Sequence, residues 1–166
     1  VPQLLAAMKG GDDATLRAVK ALFEEAGFAV SGAAEMAPAL LPGPGLLAGE
    51  VTTGDEADAA RAAAIVAALG AVDVGQGAVV AGGLCLAVEA LPGTDAMLAA
   101  VAGLPAALRP PRGLLFKAPK PGQDRRIDLP AIGPATVDAA ARAGLAGIAF
   151  EAGGTLLLTP ESTAAA

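Results

Sequence analysis

The stretch "KAPKPGQDRRIDLPAIGP", Lys117 to Pro134, gathers six charges and four prolines in a chain otherwise rich in alanine, leucine and glycine. Lys117, Lys120, Arg125 and Arg126 offer ammonium point charges and guanidinium forks, which suit phosphate oxygens. Asp124 and Asp128 bracket the arginines, and one carboxylate together with substrate phosphates is a usual way to hold Mg2+. Pro119 and Pro121 restrict the backbone around Lys120, lowering the entropy lost when side chains grip a ligand. The pattern points to a phosphate and metal site on a stiff loop. The competing reading is a surface loop whose charges pair with one another, each exposed pair contributing about 0–1 kcal/mol.

A second stretch, "VEALPGTDAML", has the plan of a strand end, a turn and a helix start, with Glu89 closing the strand and Thr94 and Asp95 opening the helix. Free N–H groups at a helix N-terminus attract phosphate, and Asp95 there calls for a cation between the two. Capping of the helix by Thr94 or Asp95 explains the same residues with a contribution of about 1 kcal/mol. In "AVDVGQGAVV", turn chemistry accounts for Asp73 and the glycines, whereas nothing local accounts for Gln76. Asp12, Asp13, Asp55, Glu56 and Asp58 read as helix starts and solvated faces.

The chain has 166 residues, enough for one domain with a real core. It lacks histidine, tryptophan and tyrosine and has two serines, Ser31 and Ser162. Histidine-based triads and acid–base schemes are thereby excluded, leaving carboxylates, lysines, arginines, threonines and backbone dipoles, with a hard cation. Net charge −6 and 2% aromatics argue against nucleic-acid binding. Yet six of the eleven Lys and Arg residues fall between Arg109 and Arg126, the mark of a small-molecule anion site. Cys85, alone in "GLCLAV", reads as a buried small hydrophobe. The longest apolar stretch, Ala62 to Val72, is too short to span a bilayer, and no signal peptide is evident, so a cytoplasmic protein is expected. A start at Val1 and an end in Ala164–Ala166 read as cuts through something longer.

Several elements must position these residues. "GDDATLRAVKALFEEAGF" reads as a helix capped by Asp12 or Asp13 and ended by Gly27, and "GDEADAARAAAIVAALG" as a helix stopped by Gly70. "AVSGA" and "LLAGEV" are weak strand candidates. "GAVVA" and "LCLAVEA" across Gly82-Gly83 form a hairpin, and "AGIAFEA" and "TLLLT" across Gly153-Gly154 a second. "GLLFKA" is a buried strand leading into the charged loop, "GTDAMLAAVAGL" and "PATVDAAARAG" are helices, and Pro160 starts a last one. The expected fold is α/β, a single compact domain with a mixed sheet, two hairpins and about four to five helices.

"DVGQGAVV", "VEALPGTDAML", "KAPKPGQDRRIDLPAIGPATV" and "AGLAGIAFEAG", in this order and spacing, resemble the C-terminal domain of UDP-2,3-diacylglucosamine pyrophosphatases of the LpxI type, from about Gly10 to Thr159. The resemblance implies that residues 1–166 are the C-terminal catalytic and substrate-binding domain of a two-domain enzyme whose N-terminal domain is absent from this chain. It implies a Mg2+-dependent hydrolase of lipid A biosynthesis, cutting UDP-2,3-diacylglucosamine to 2,3-diacylglucosamine 1-phosphate (lipid X) and UMP, with water attacking the sugar-side phosphorus. The substrate would lie between the two domains. The motif falls on Lys117, Lys120, Gln123, Asp124, Arg125, Arg126 and Asp128, and on Glu89, Thr94 and Asp95. Asp124 is the expected key carboxylate, as metal ligand or water-activating base. Asp128, Asp95 and Glu89 complete the expected metal donors, and Gln76 and Thr94 join the phosphate ligands. Pro92 departs from the acid expected before "GTD", and Ala131 from the expected Thr. Expected partners are the substrate or its lipid phosphosugar product, the N-terminal domain, and the inner membrane peripherally through the acyl chains; a homodimer stays open. The alternative is a non-catalytic module that binds a phosphosugar lipid or a nucleotide.

Overall fold

The computed structural model describes residues 12–166, which form six α-helices and six strands, with three helices leading and the strands following in pairs between the later helices. The helices are α1 (Asp12–Glu25), α2 (Ala33–Met36), α3 (Thr53–Ala71), α4 (Gly93–Ala102), α5 (Pro134–Arg142) and α6 (Pro160–Ala165). The strands are β1 (Gly77–Ala81), β2 (Leu84–Val88), β3 (Gly113–Lys117), β4 (Ala131–Ile132), β5 (Leu145–Phe150) and β6 (Leu156–Leu157).

The longest helix, α3, begins with a reciprocal cap. Thr52 Oγ1 accepts the Asp55 N–H at 3.2 Å, and Asp55 Oδ2 accepts the Thr52 N–H at 2.9 Å. Asp58, Ala62, Val66 and Gly70 follow one another at four-residue intervals and are all buried, the stripe a helix presents to a core. Gly70 does not stop the helix, which runs on to Ala71. It ends in a Schellman turn, Val74 N to Leu69 O and Asp73 N to Gly70 O, with Asp73 at φ 57 in the left-handed position.

Four strands form a mixed sheet in the order β2-β1-β3-β5, with β1 antiparallel to both β2 and β3 and β3 parallel to β5. All of β1 is buried because both sheet faces are covered. Ala78, Val80 and Leu114 point toward Ala62 and Val66 of α3. Val79 and Leu115 point the other way, into Met97, Leu98 and Val101 of α4 and Ala143 after α5. The period-two alternation of each strand thus feeds two cores. Asp58, expected on a solvated face, is buried: its carboxylate accepts the N–H groups of Gly82 at 2.8 Å and Gly83 at 2.6 Å. It holds the tight β1–β2 turn, whose two glycines take positive φ.

The α/β class, the mixed sheet and the first hairpin agree with expectation. The second hairpin does not form: β5 pairs with β3 and β6 pairs with β4, both in parallel. "AVSGA" and "LLAGEV" form no strand; the first leads into the one-turn helix α2. Asp12 and Asp13 lie within α1 instead of before it. Cys85 is exposed, because β2 is the sheet's edge strand. Among the described residues no helix is long and apolar enough to cross a membrane.

Candidate functional site

The registers align Gly77, Lys117 and Phe150 across β1, β3 and β5. The charged loop therefore leaves the sheet at the carboxyl ends of its two parallel strands, where ligands of open α/β sheets gather. Three contacts seat it. A Cβ on Gly70 would come within 2.7 Å of Pro121 Cδ, and one on Gly32 within 2.7 Å of Arg126 Cα. In addition, Arg17 of α1 donates to Gly122 O at 2.7 Å.

Lys117 and Lys120 go to different places. Side chains alternate along β3, so Lys117 joins the α4 face, where its Nζ donates to Thr94 Oγ1 at 2.7 Å and lies 3.5 Å from Glu89 Oε2. Thr94 is thus not a cap: Pro92 holds the N-cap position, and no side chain caps α4. The second contact is an ion pair without hydrogen-bond geometry, since buried Glu89 Oε2 has no hydrogen-bond partner. Gln76 Oε1 is likewise buried without a partner, while its backbone oxygen accepts the Ala118 N–H. Asp95 stands exposed in the first turn of α4.

The loop itself lies on the α3 side. Lys120 Nζ pairs with Asp73. Gln123 is buried and bridges the loop internally: its Oε1 accepts the Lys120 N–H at 2.8 Å and its Nε2 donates to Asp128 Oδ2 at 2.6 Å. Asp124 takes the Arg126 fork at 3.0 and 2.9 Å, and Lys20 Nζ of α1 at 2.7 Å. The Arg126 guanidinium first, and Lys20 second, hold the Asp124 carboxyl well below the usual carboxylate range. Asp124 in turn raises the pKa of Arg126. Arg125 pairs with Glu151 at 2.7 Å on the surface.

The expected site residues thus form two groups at one end of the sheet, Lys117 with Glu89 and Thr94 on the α4 face, and the loop with Asp73 and Lys20 on the α3 side. Asp124 bonds to neither Lys120, Glu89 nor Asp95. Asp73 and Lys20 take part without having been expected, and no local sequence signal marks Lys20. Among the described residues no three of Asp, Glu and Cys come together closely enough to hold a metal ion. The expected donors Glu89, Asp124 and Asp128 are each engaged within the chain, so they do not fit a ready-made Mg2+ cage. An apolar cavity of about 640 Å³ runs along β5, lined by Leu46, Leu47, Val51, Ile132, Val137 and Phe150 among others.

Residues 44–166 match the model of the LpxI C-terminal domain, a span that includes both groups except Lys20. UDP-2,3-diacylglucosamine pyrophosphatase LpxI of Caulobacter vibrioides is 49% identical over 172 residues, an alignment covering all of this chain and 61% of that protein. The chain therefore spans about three-fifths of the length of this curated relative. A family match over most of the chain and this identity lead to one conclusion: the chain belongs to the LpxI family, in its C-terminal domain.

Proposed function

We propose that this chain is the C-terminal part of an enzyme that hydrolyses UDP-2,3-diacylglucosamine to lipid X and UMP. The observation that carries the reading is the 49% identity, over the whole chain, to a protein named for that pyrophosphatase activity. Water adds to the sugar-side phosphorus, and the bridging oxygen leaves with UMP as the phosphoanhydride bond breaks. Lys117, Lys120, Arg125 and Arg126 neutralise the diphosphate, with Thr94, Gln123 and Gln76 as further phosphate ligands. Arg126 and Lys20 are the two cations that occupy Asp124. Phosphate oxygens compete for both, since a guanidinium fork binds phosphate as well as carboxylate. Substrate binding then releases Asp124 beside the diphosphate. The acyl chains have a fitting surface in the cavity along β5, whose lining residues Phe150 and Ala152 flank Glu151, the partner of Arg125.

A Mg2+ requirement is part of the proposal, as are closure against an N-terminal domain and action in the cytoplasm at the inner membrane. No reaction step is assigned to the ion. Full-length protein incubated with UDP-2,3-diacylglucosamine and Mg2+ should release UMP, and EDTA should stop it. Asp124→Ala should lower the rate roughly 100-fold or more, the scale of losing one group that stabilises the transition state. Binding of the substrate with no UMP formed would favour the non-catalytic module instead, a reading for which the existing pairing of Asp124 is the specific argument.

A further inference from the structure

Gly75 and Gly77 do not serve a turn: Gly77 opens strand β1, Gly75 lies two residues before it outside any turn, and neither has positive φ. Both make room for Glu89. A Cβ on Gly75 would fall 2.0 Å from the Glu89 carbonyl oxygen, and one on Gly77 would fall 2.5 Å from Glu89 Oε2. The Glu89 N–H donates to Gly77 O at 2.8 Å, fixing the chain there. Gly77 is the direct cross-strand partner of Lys117, so the missing side chain lies on the same face as the Lys117 ammonium. The Glu89 carboxylate fills the vacancy.

We propose that Gly77 and Glu89 are positioning residues for Lys117: the absent side chain at 77 lets Glu89 lie against the ammonium, and Glu89 acts through Lys117 instead of ligating metal. The proposal rests on the reading of Lys117 as a phosphate-gripping group. Lys117 is 5% exposed, and an ammonium so buried needs a counter-charge. Glu89 supplies it at 3.5 Å without hydrogen-bond geometry, and Thr94 takes one of the three N–H bonds. Lys117 is therefore aimed and neutralised but not saturated, and can take a phosphate oxygen. A Mg2+ on Glu89 Oε2, at the usual ligand distance of about 2.1 Å, would share that oxygen with the ammonium and be repelled by it.

Two measurements test this. In thermal unfolding of the chain, Gly77→Ala should lower Tm by about 2–4 °C with Glu89 present, because the new Cβ turns the flexible carboxylate tip away from the buried ammonium, and by less than half as much in a Glu89→Ala background, where no carboxylate remains to be displaced. In full-length enzyme, Gly77→Ala and Glu89→Ala should each raise KM about tenfold, and the double variant should be no worse than Glu89→Ala. The Mg2+ concentration for half-activation should stay within about twofold of wild type. Glu89→Gln, of the same shape, carries the kinetic arm if Gly77→Ala fails to fold. Equal Tm losses in both backgrounds, multiplied KM effects, or a tenfold rise in the Mg2+ requirement of Glu89→Gln would each overturn the proposal. A wild-type enzyme that releases no UMP would overturn the activity reading, and the unfolding cycle would still decide whether Gly77 and Glu89 are coupled.

Discussion

Replacing Gly70 by alanine sets two effects against each other. Gly70 lies inside α3, where alanine is favoured over glycine by about 0.8–1.0 kcal/mol, so helix propensity predicts a more stable protein. Packing predicts the reverse. The new Cβ would sit 2.7 Å from Pro121 Cδ and 3.2 Å from Lys120 Cα, against an optimum of about 3.5–4.0 Å between carbons. Neither neighbour is the end of a flexible side chain: one belongs to a closed ring and the other is backbone, so the loop must move as a body. Overpacking of this kind costs about 1–3 kcal/mol. Subtracting the helix gain leaves a net loss on the order of 1 kcal/mol, or about 2–4 °C in Tm for a chain of this size. Activity should suffer more than stability, because the displaced segment carries the Lys120–Asp73 pair and the Gln123 bond to the Lys120 N–H. Urea unfolding of Gly70→Ala followed by circular dichroism, with UMP release from the full-length enzyme, measures both. A variant more stable than wild type by about 1 kcal/mol, with unchanged activity, would mean that the helix end does not hold the loop.

Two other perturbations separate fold from site. Asp58→Ala leaves the Gly82 and Gly83 N–H groups without their charged acceptor; at about 1.5–3 kcal/mol for each such bond, with incomplete additivity, the expected loss is about 2–4 kcal/mol. Asp58→Asn keeps one acceptor oxygen and should lose about half of that; a denaturation midpoint for Asp58→Ala indistinguishable from wild type would reject the clamp. The second concerns acid. Asp55, paired first with Arg112 and then with Thr52, and Asp124, paired with Arg126 and Lys20, both titrate below the ordinary carboxylate range in the folded chain. As pH falls below about 4, the unfolded chain takes up these protons first, so stability is complete above that pH and declines as pH drops toward the folded values. Asp55→Asn and Asp124→Asn should each flatten the fall of the urea midpoint between about pH 4 and 2. A slope as steep as that of wild type in both would show that these pairs contribute nothing to acid sensitivity.

What could be read from the residues depended on how far apart the partners lie in sequence. Helix α3 was legible because its apolar stripe and its acidic start fall within one window, and the first hairpin because Gly82-Gly83 joins strands that pair with each other. The Gly153-Gly154 segment carries similar local signs, but β5 finds β3 and β6 finds β4, pairings set by crossovers that no short window contains. Cys85 was misjudged for a related reason: an apolar strand reads as buried, and only the strand order places β2 at an edge. The charged loop stood out by composition, whereas its partners did not, since Lys20 reaches Asp124 across 104 positions. Glycines are the sharpest case. Gly70, Gly75 and Gly77 sit where a stop or a turn is the ordinary reading, yet each is a place where another part of the chain comes too near for a Cβ. That approach can be seen only from the partner's side, from Pro121 and Glu89. Gly70 brings helix α3 against Lys120, while Gly75 and Gly77 admit Glu89, the counter-charge of Lys117. A glycine of this domain that lacks positive φ is therefore better read by asking what packs against it, Pro121 and Lys120 at Gly70 and Glu89 at Gly75 and Gly77, than as a break in an element.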